Sequence, residues 1–186
     1  MDTYTIIGIV IVAAAVVIVA GLAVMMFGRH RTNNLKDRYG SEYDRVVKKQ
    51  GRKKAEEELA GRARRVEALD IRELTPEERN DFTAQWTKIQ AQFVDAPRTA
   101  LQYADLLVQQ VMTTRGYPMA DFEQRAADIS VDHASLVTDY RAAHAISARA
   151  DTANTEQMRQ AMLHYRNMFS ELLGTSVSEP VSVTAP

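Results

Sequence analysis

Cysteine is absent from the 186 residues, and proline and glycine are scarce at five and eight. Without a thiol there is no disulfide framework, no thiolate metal site and no cysteine nucleophile, and the absence fits any redox compartment. Scarce helix breakers, with an Ala-, Gln- and Arg-rich composition outside one apolar stretch, favour helices over sheets. Catalytic signatures are missing as well. The segment Arg115-Gly116-Tyr117-Pro118 carries a single glycine and is no phosphate loop, and neither HExxH, Glu-x-x-His nor GxSxG occurs. Nucleotide-dependent, zinc-hydrolase and serine-hydrolase chemistry therefore lack visible equipment.

Charge is missing in one place only. Tyr4 to Phe27 reads YTIIGIVIVAAAVVIVAGLAVMMF, with nothing more polar than Tyr4 and Thr5. As a helix this run measures about 36 Å at about 1.5 Å per residue, enough to cross a hydrocarbon core of about 30 Å with some tilt. Only a helix satisfies its own backbone in lipid, so its many β-branched residues do not make it a strand. Residues 1–28 are read as a transmembrane anchor. A cleaved signal is the rival, with small residues at Ala13-Ala14-Ala15 and Ala20 to Ala23. Against it, no Lys or Arg precedes the run, which is also longer than such signals require. The run contains no GxxxG and no ionisable residue, so a helix-pairing stripe is only weakly signalled and a proton relay is not expected. A homo-oligomer stays open.

The formal net charge of −1 conceals an asymmetry. Arg29 to Glu67 holds thirteen Lys and Arg against seven Asp and Glu, whereas Ala68 to Pro186 holds ten against sixteen. Basic residues beside a span stay on the cytoplasmic side. Only Asp2 precedes the anchor, while Arg29, Arg31, Lys36 and Arg38 follow it, which places the N-terminus outside and the body in the cytoplasm.

Residues 29–74 read as a basic juxtamembrane helical stalk. Ser41-x-x-Asp44 resembles a capping-box start, and Tyr43, Val46, Val47, Ala55, Leu59, Ala63, Val66 and Leu69 recur at mostly helical spacing. Between them KKQGRKK has no apolar residue, and Gly51 invites a break. Arg29, Arg31, Lys48, Lys49, Arg52, Lys53 and Lys54 are the candidate contacts to anionic lipid, at about 1 kcal/mol per basic residue that reaches the surface. Nucleic acid is the alternative, with little support because no aromatics interleave with the basic run. The plainest reading is that the charge sets topology and solubility while Glu56, Glu57 and Glu58 pair with Arg62 and its neighbours.

Residues 75–174 form the acidic body. Thr75-Pro76-Glu77-Glu78 is an N-cap, a first-turn proline and a capping-box glutamate, followed by Phe82, Trp86, Ile89 and Phe93 on one face. A second stripe runs from Ala100 through Met112 to a stop at Gly116. Tyr117-Pro118 is expected to open a shorter helix carrying Phe122, Ala126 and Ile129, and Ser130 or Asp132 to cap the next, with Leu136, Val137, Tyr140, Ala143 and Ile146 inward. Asn154 or Thr155 begins the last, whose Met158, Met162, Tyr165, Phe169 and Leu172 repeat by three and four. Short connections predict antiparallel neighbours. The expected fold is all-α: a transmembrane helix, a basic stalk, then a small antiparallel helical bundle. Residues 175–186 have no helical period and are expected to be disordered.

The segments LKDRYGSEYDR at Leu35 to Arg45, FVDAP at Phe93 to Pro97, RGYP at Arg115 to Pro118 and FEQRAADIS at Phe122 to Ser130 resemble those of a family of uncharacterised small bacterial single-pass membrane proteins. The resemblance covers nearly the whole chain. It implies a bacterial plasma membrane and brings no catalytic residue across.

Four histidines are the remaining chemistry-bearing groups. His30 belongs to the basic flank. His133 and His144 lie eleven residues apart, near one helical face, and with Asp128 and His164 could approach a metal. Arg115, Arg125, Arg141, Arg149 and Arg166 could cluster around an anion, or pair with Asp105, Asp121, Asp128 and Asp139. No catalytic, cofactor or metal residue is assigned. The functional expectation is a membrane-anchored adaptor or scaffold, not an enzyme, that binds a protein partner through its helical body. Lipid or nucleic-acid binding through the basic segment is the first alternative, and a metal-dependent enzyme the second.

Overall fold

A computed structural model describes residues 16, 18, 19, 25, 26, 29, 30 and 32–174. The apolar run 4–27, apart from five of its residues, and the tail 175–186 lie outside them. Among the described residues no helix is long and apolar enough to cross a membrane, and no strand occurs. After a helical stretch at 32–39 come α1 (Ser41–Gln50), α2 (Arg52–Glu67), α3 (Pro76–Gln92), α4 (Pro97–Thr114), α5 (Phe122–Asp132), α6 (Ala134–Ser147) and α7 (Thr155–Leu172).

The punctuation that begins α3 and α7 follows the sequence signals. Thr75 accepts from the Glu78 amide while Glu78 accepts from the Thr75 amide, and Asn154 and Gln157 repeat this reciprocal box at α7. Three other starts differ from expectation. Asp121, not Tyr117-Pro118, caps α5 by accepting from the Gln124 amide at 2.8 Å. Ser130 and Asp132 lie inside α5, and α6 starts at His133 without a side-chain cap. Ser41-x-x-Asp44 is no capping box: the N-cap is Gly40, and the Ser41 hydroxyl instead meets Thr138 at 3.2 Å.

The main core lies between α3, α4, α6 and α7, with Ala126 and Ile129 of α5 closing one side. The α4 stripe Ala100, Leu101, Ala104, Leu107, Val108, Val111 and Met112 is buried throughout, as are Met158, Met162, Tyr165 and Phe169 of α7. Trp86 of α3 stacks on Phe169 with ring centroids 4.9 Å apart. Each such large side chain contributes roughly 1.5–3 kcal/mol on burial. Not every neighbour is antiparallel. Arg98 meets Asp151, Tyr165 meets Asp105 and Arg115 meets the Leu172 carbonyl, so α4 and α7 run side by side in the same direction. The sequence-adjacent pairs α5/α6 and α6/α7 are antiparallel, as Phe122–His144 and His133–Glu171 record.

The expected stalk is a packed subassembly. Gly40 (φ 49°) and Gly51 (φ 82°) each turn the chain, in backbone regions where a side chain is disfavoured. One Glu56 carboxylate oxygen accepts from both Thr32, at 2.8 Å, and Tyr43, at 3.1 Å. In a continuous helix Thr32 and Tyr43 would stand roughly 16 Å apart, too far for that shared contact. The 32–39 stretch therefore runs alongside α2, and α1 doubles back between them. Tyr39, Tyr43, Val46, Ala55, Leu59 and Val66 form a second core that Val131 of α5 completes. A stalk would leave that stripe wet, and burying it favours the folded-back arrangement.

Candidate functional site

Two features stand out where the basic segment meets the bundle: a turn of free cations, and a buried ion network beneath it. Lys48 and Lys49 end α1, and Arg52, Lys53 and Lys54 begin α2, all five exposed. Among the described residues none makes an ion pair or a side-chain hydrogen bond. Arg29 is exposed too, and Arg31 lies outside the described residues. Because 32–39 and α2 run in one direction from the Thr32–Glu56 contact, Arg29 stands roughly level with Lys53. The fold gathers Lys48, Lys49, Arg52, Lys53 and Lys54 on this one turn, with Arg29 on the helical stretch that runs beside α2.

Beneath this turn the hairpin docks on α5 and α6 through charge. Glu42, 2% exposed, accepts from Arg45 at 2.7 Å and from Arg62 at 2.8 Å, with Arg141 at 3.6 Å. Arg62, 5% exposed, also donates to Glu58 and to Ser130. Arg65 donates twice to buried Asp128. Burial pushes the Glu42 carboxyl up, but hydrogen bonds from Arg45 and Arg62 outweigh it and hold it below the usual carboxylate range. Of the expected local pairings, Glu58 does meet Arg62, whereas Glu56 turns to Thr32 and Tyr43. A cleft of about 360 Å³ opens here, lined by Arg45, Lys49, Arg62, Arg65, Asp121 and Glu123.

The sequence contained a signal for this network. Arg62 interrupts the stripe Ala55, Leu59, Val66 at helical spacing, and a charge inside a buried stripe calls for a buried partner. Glu42, in register with Val46, is that partner. Which carboxylate answered could only be settled by the reversal at Gly40.

The histidines are not brought together. His133 faces Glu171 at 3.5 Å, His144 stacks on Phe122 at 3.7 Å between centroids, and His164 meets Asp139 at 2.9 Å. Burial, then the Arg115 cation, hold the His133 imidazole below its ordinary value and favour the neutral ring. Among the described residues no group of three or more His, Asp or Glu could hold a metal. Four of the five arginines take other partners than the expected aspartates, and the Arg166 Nε is buried without a hydrogen-bond partner among the described residues. Arg125 donates to Tyr140 and the Ala120 carbonyl, Arg141 to Glu123, Arg115 to the Leu172 carbonyl and Arg149 to the Ala145 carbonyl. The Ser130 hydroxyl donates to the Ala127 carbonyl and accepts from Arg62, an arrangement that holds the hydroxyl rather than activating it.

Elsewhere on the body, α3 and α4 enclose an open groove of about 350 Å³. Ile89, Leu107 and the half-exposed Tyr103 and Leu106 line it, with Lys88 at the rim. No protein family, curated protein or solved structure matches the chain.

Proposed function

We propose that the chain is a membrane-anchored adaptor or scaffold. Residues 4–27 hold it in a bacterial plasma membrane with the N-terminus outside, and the helical body meets a protein partner in the cytoplasm. The length and apolarity of the run support the anchor, as do Val16, Ile18, Val19, Met25 and Met26, which are helical and left more than half exposed by the body. The observation that carries the adaptor reading is the α3/α4 groove. The body closes its cores and pairs most of its buried charges internally, yet leaves this apolar cleft open beside Lys88. A partner helix that inserts apolar side chains between Tyr103 and Leu106 and sets an acidic group against Lys88 suits it.

A photocrosslinking residue at Leu106, in intact cells, is expected to give one discrete protein adduct that Tyr103→Glu abolishes. The same residue at Asn80, outside the groove, is expected to give none. Equal, diffuse labelling from both positions would overturn the reading. Topology is checked separately, since the chain has no cysteine to confuse labelling. An impermeant maleimide should modify Thr3→Cys and spare Ser182→Cys, and the reverse would move the body outside.

A further inference from the structure

We infer that the turn around Gly51 is a docking face for anionic lipid headgroups, which seats the body against the bilayer with α1 and α2 end-on; the inference rests on the reading that residues 4–27 span the membrane. Three observations lead to it. Lys48, Lys49, Arg52, Lys53 and Lys54 are exposed and free of ion pairs, whereas Arg38, Arg45, Arg62, Arg65 and Arg141 around the same hairpin are each engaged by carboxylates. Five unpaired like charges on one turn repel one another, so the fold tolerates them at a cost that a polyanionic surface would remove. The two hydrogen bonds that Glu56 accepts, from Thr32 and Tyr43, lay the 32–39 stretch beside α2, and helical continuation back from Thr32 brings Arg29 roughly level with Lys53. A face within a helical turn or two of the bilayer needs no further linker to reach it.

The nearby carboxylates do not cancel the face. Glu58 is taken by Arg62 and Gln50 with Lys49 in its field, Glu56 by Thr32 and Tyr43, Glu123 by Arg141 and Asp121 by the Gln124 amide, which leaves exposed Asp44 and Glu57 against five cations. Nucleic acid would be drawn by the same charges, but among the described residues the turn carries no aromatic side chain on which a base could stack, and lipid is the polyanion already at hand.

The test uses the full chain reconstituted in vesicles of neutral lipid, or of neutral lipid with a third anionic lipid. A fluorophore is attached at Gln50→Cys or, as a control outside the turn, at exposed Asn80→Cys on α3, and a headgroup-linked quencher reports proximity. The population quenched at position 50 is expected to rise by about tenfold in anionic over neutral vesicles and to fall back in high salt, with position 80 unchanged. Replacing all five cations by Gln should abolish the rise, while Arg at Lys48, Lys49, Lys53 and Lys54 should preserve it, which separates charge from folding. Equal quenching in both vesicle types, or a rise that survives the five-Gln change, overturns the proposal. Loss of the anionic-lipid signal to added RNA at stoichiometric concentration would reassign the face to nucleic acid. Extraction of the chain by alkaline carbonate would instead defeat the anchor reading, so the two failures are distinguishable.

Discussion

At the scale of the residue, two glycines should respond to alanine in opposite directions. A Cβ on Gly116 would stand 2.2 Å from the Asp70 carbonyl oxygen, at φ 103°, so relief would require moving backbone. Gly116→Ala is expected to cost about 2 kcal/mol or more. Gly61 lies inside α2 with only the Arg64 side chain at 4.0 Å, and Gly61→Ala should stabilise by about 0.5–1 kcal/mol. Urea unfolding of the two variants beside the parent measures both signs. Glu42 makes a third case. Removing it leaves Arg62 buried with less than its full complement, so Glu42→Ala should cost about 3 kcal/mol, and a double apolar replacement of Glu42 and Arg62 should cost less than that single change. Its folded-state carboxyl titrates below the usual 4.5, so its stabilisation is in place above that pH and is lost as pH falls through the lower folded value. Midpoints measured from pH 7 to pH 3 should fall more steeply in the parent than in Glu42→Ala.

At the scale of the element, the hairpin and the bundle are joined differently from the way each is built. The bundle is closed by apolar stripes, whereas α1 and α2 meet α5 and α6 through the apolar Val131 and through the charged and polar Glu42, Arg62, Arg65, Asp128 and Ser130. Releasing that junction should loosen one unit without the other. In Glu42→Ala, amide exchange should accelerate in α1, α2 and the facing turns of α5 and α6, while α4 and α7 keep the parent's protection. Uniform acceleration would mean that the body unfolds as one. The same division explains what could be read in advance. The α3 and α7 helices were legible because their capping boxes and stripes are local, and α4 because of its first-turn Pro97 and its stripe. The folded-back hairpin was not, since a polar run such as KKQGRKK reads as solvated whether it projects or turns, and only Glu56 reaching both Thr32 and Tyr43 decides. The parallel α4/α7 pair was equally hidden, because it joins helices separated by α5 and α6. For the candidate site, the cations were legible from composition and their grouping from Gly51, but their position beside the arriving chain depends on the reversal at Gly40.

At the scale of the whole molecule, the apolar run and the body should be separable. Among the described residues, the buried side chains of both cores lie between Tyr39 and Leu173, with Leu35 packed against the second, and none of the five described residues of the run belongs to either. Among the described residues beyond the run, the large apolar side chains left exposed are scattered: Val94 and Met119 stand on connections, and Tyr103 and Leu106 belong to the groove. That is too little contiguous surface to drive precipitation. A chain begun at Arg29 is therefore expected to fold in water with the same helical ellipticity per body residue and the same unfolding midpoint as the full chain in detergent, within about 0.5 kcal/mol. Circular dichroism with sedimentation measures both properties. A lower midpoint would mean that the run braces the 32–39 stretch against α2, and since Thr32 is tied there through Glu56, the loss should then appear first in hairpin exchange. An unchanged midpoint with a well-defined dimer would place a second copy of the body in the α3/α4 groove in place of a foreign partner. Leu106→Glu would then return the sample to monomer.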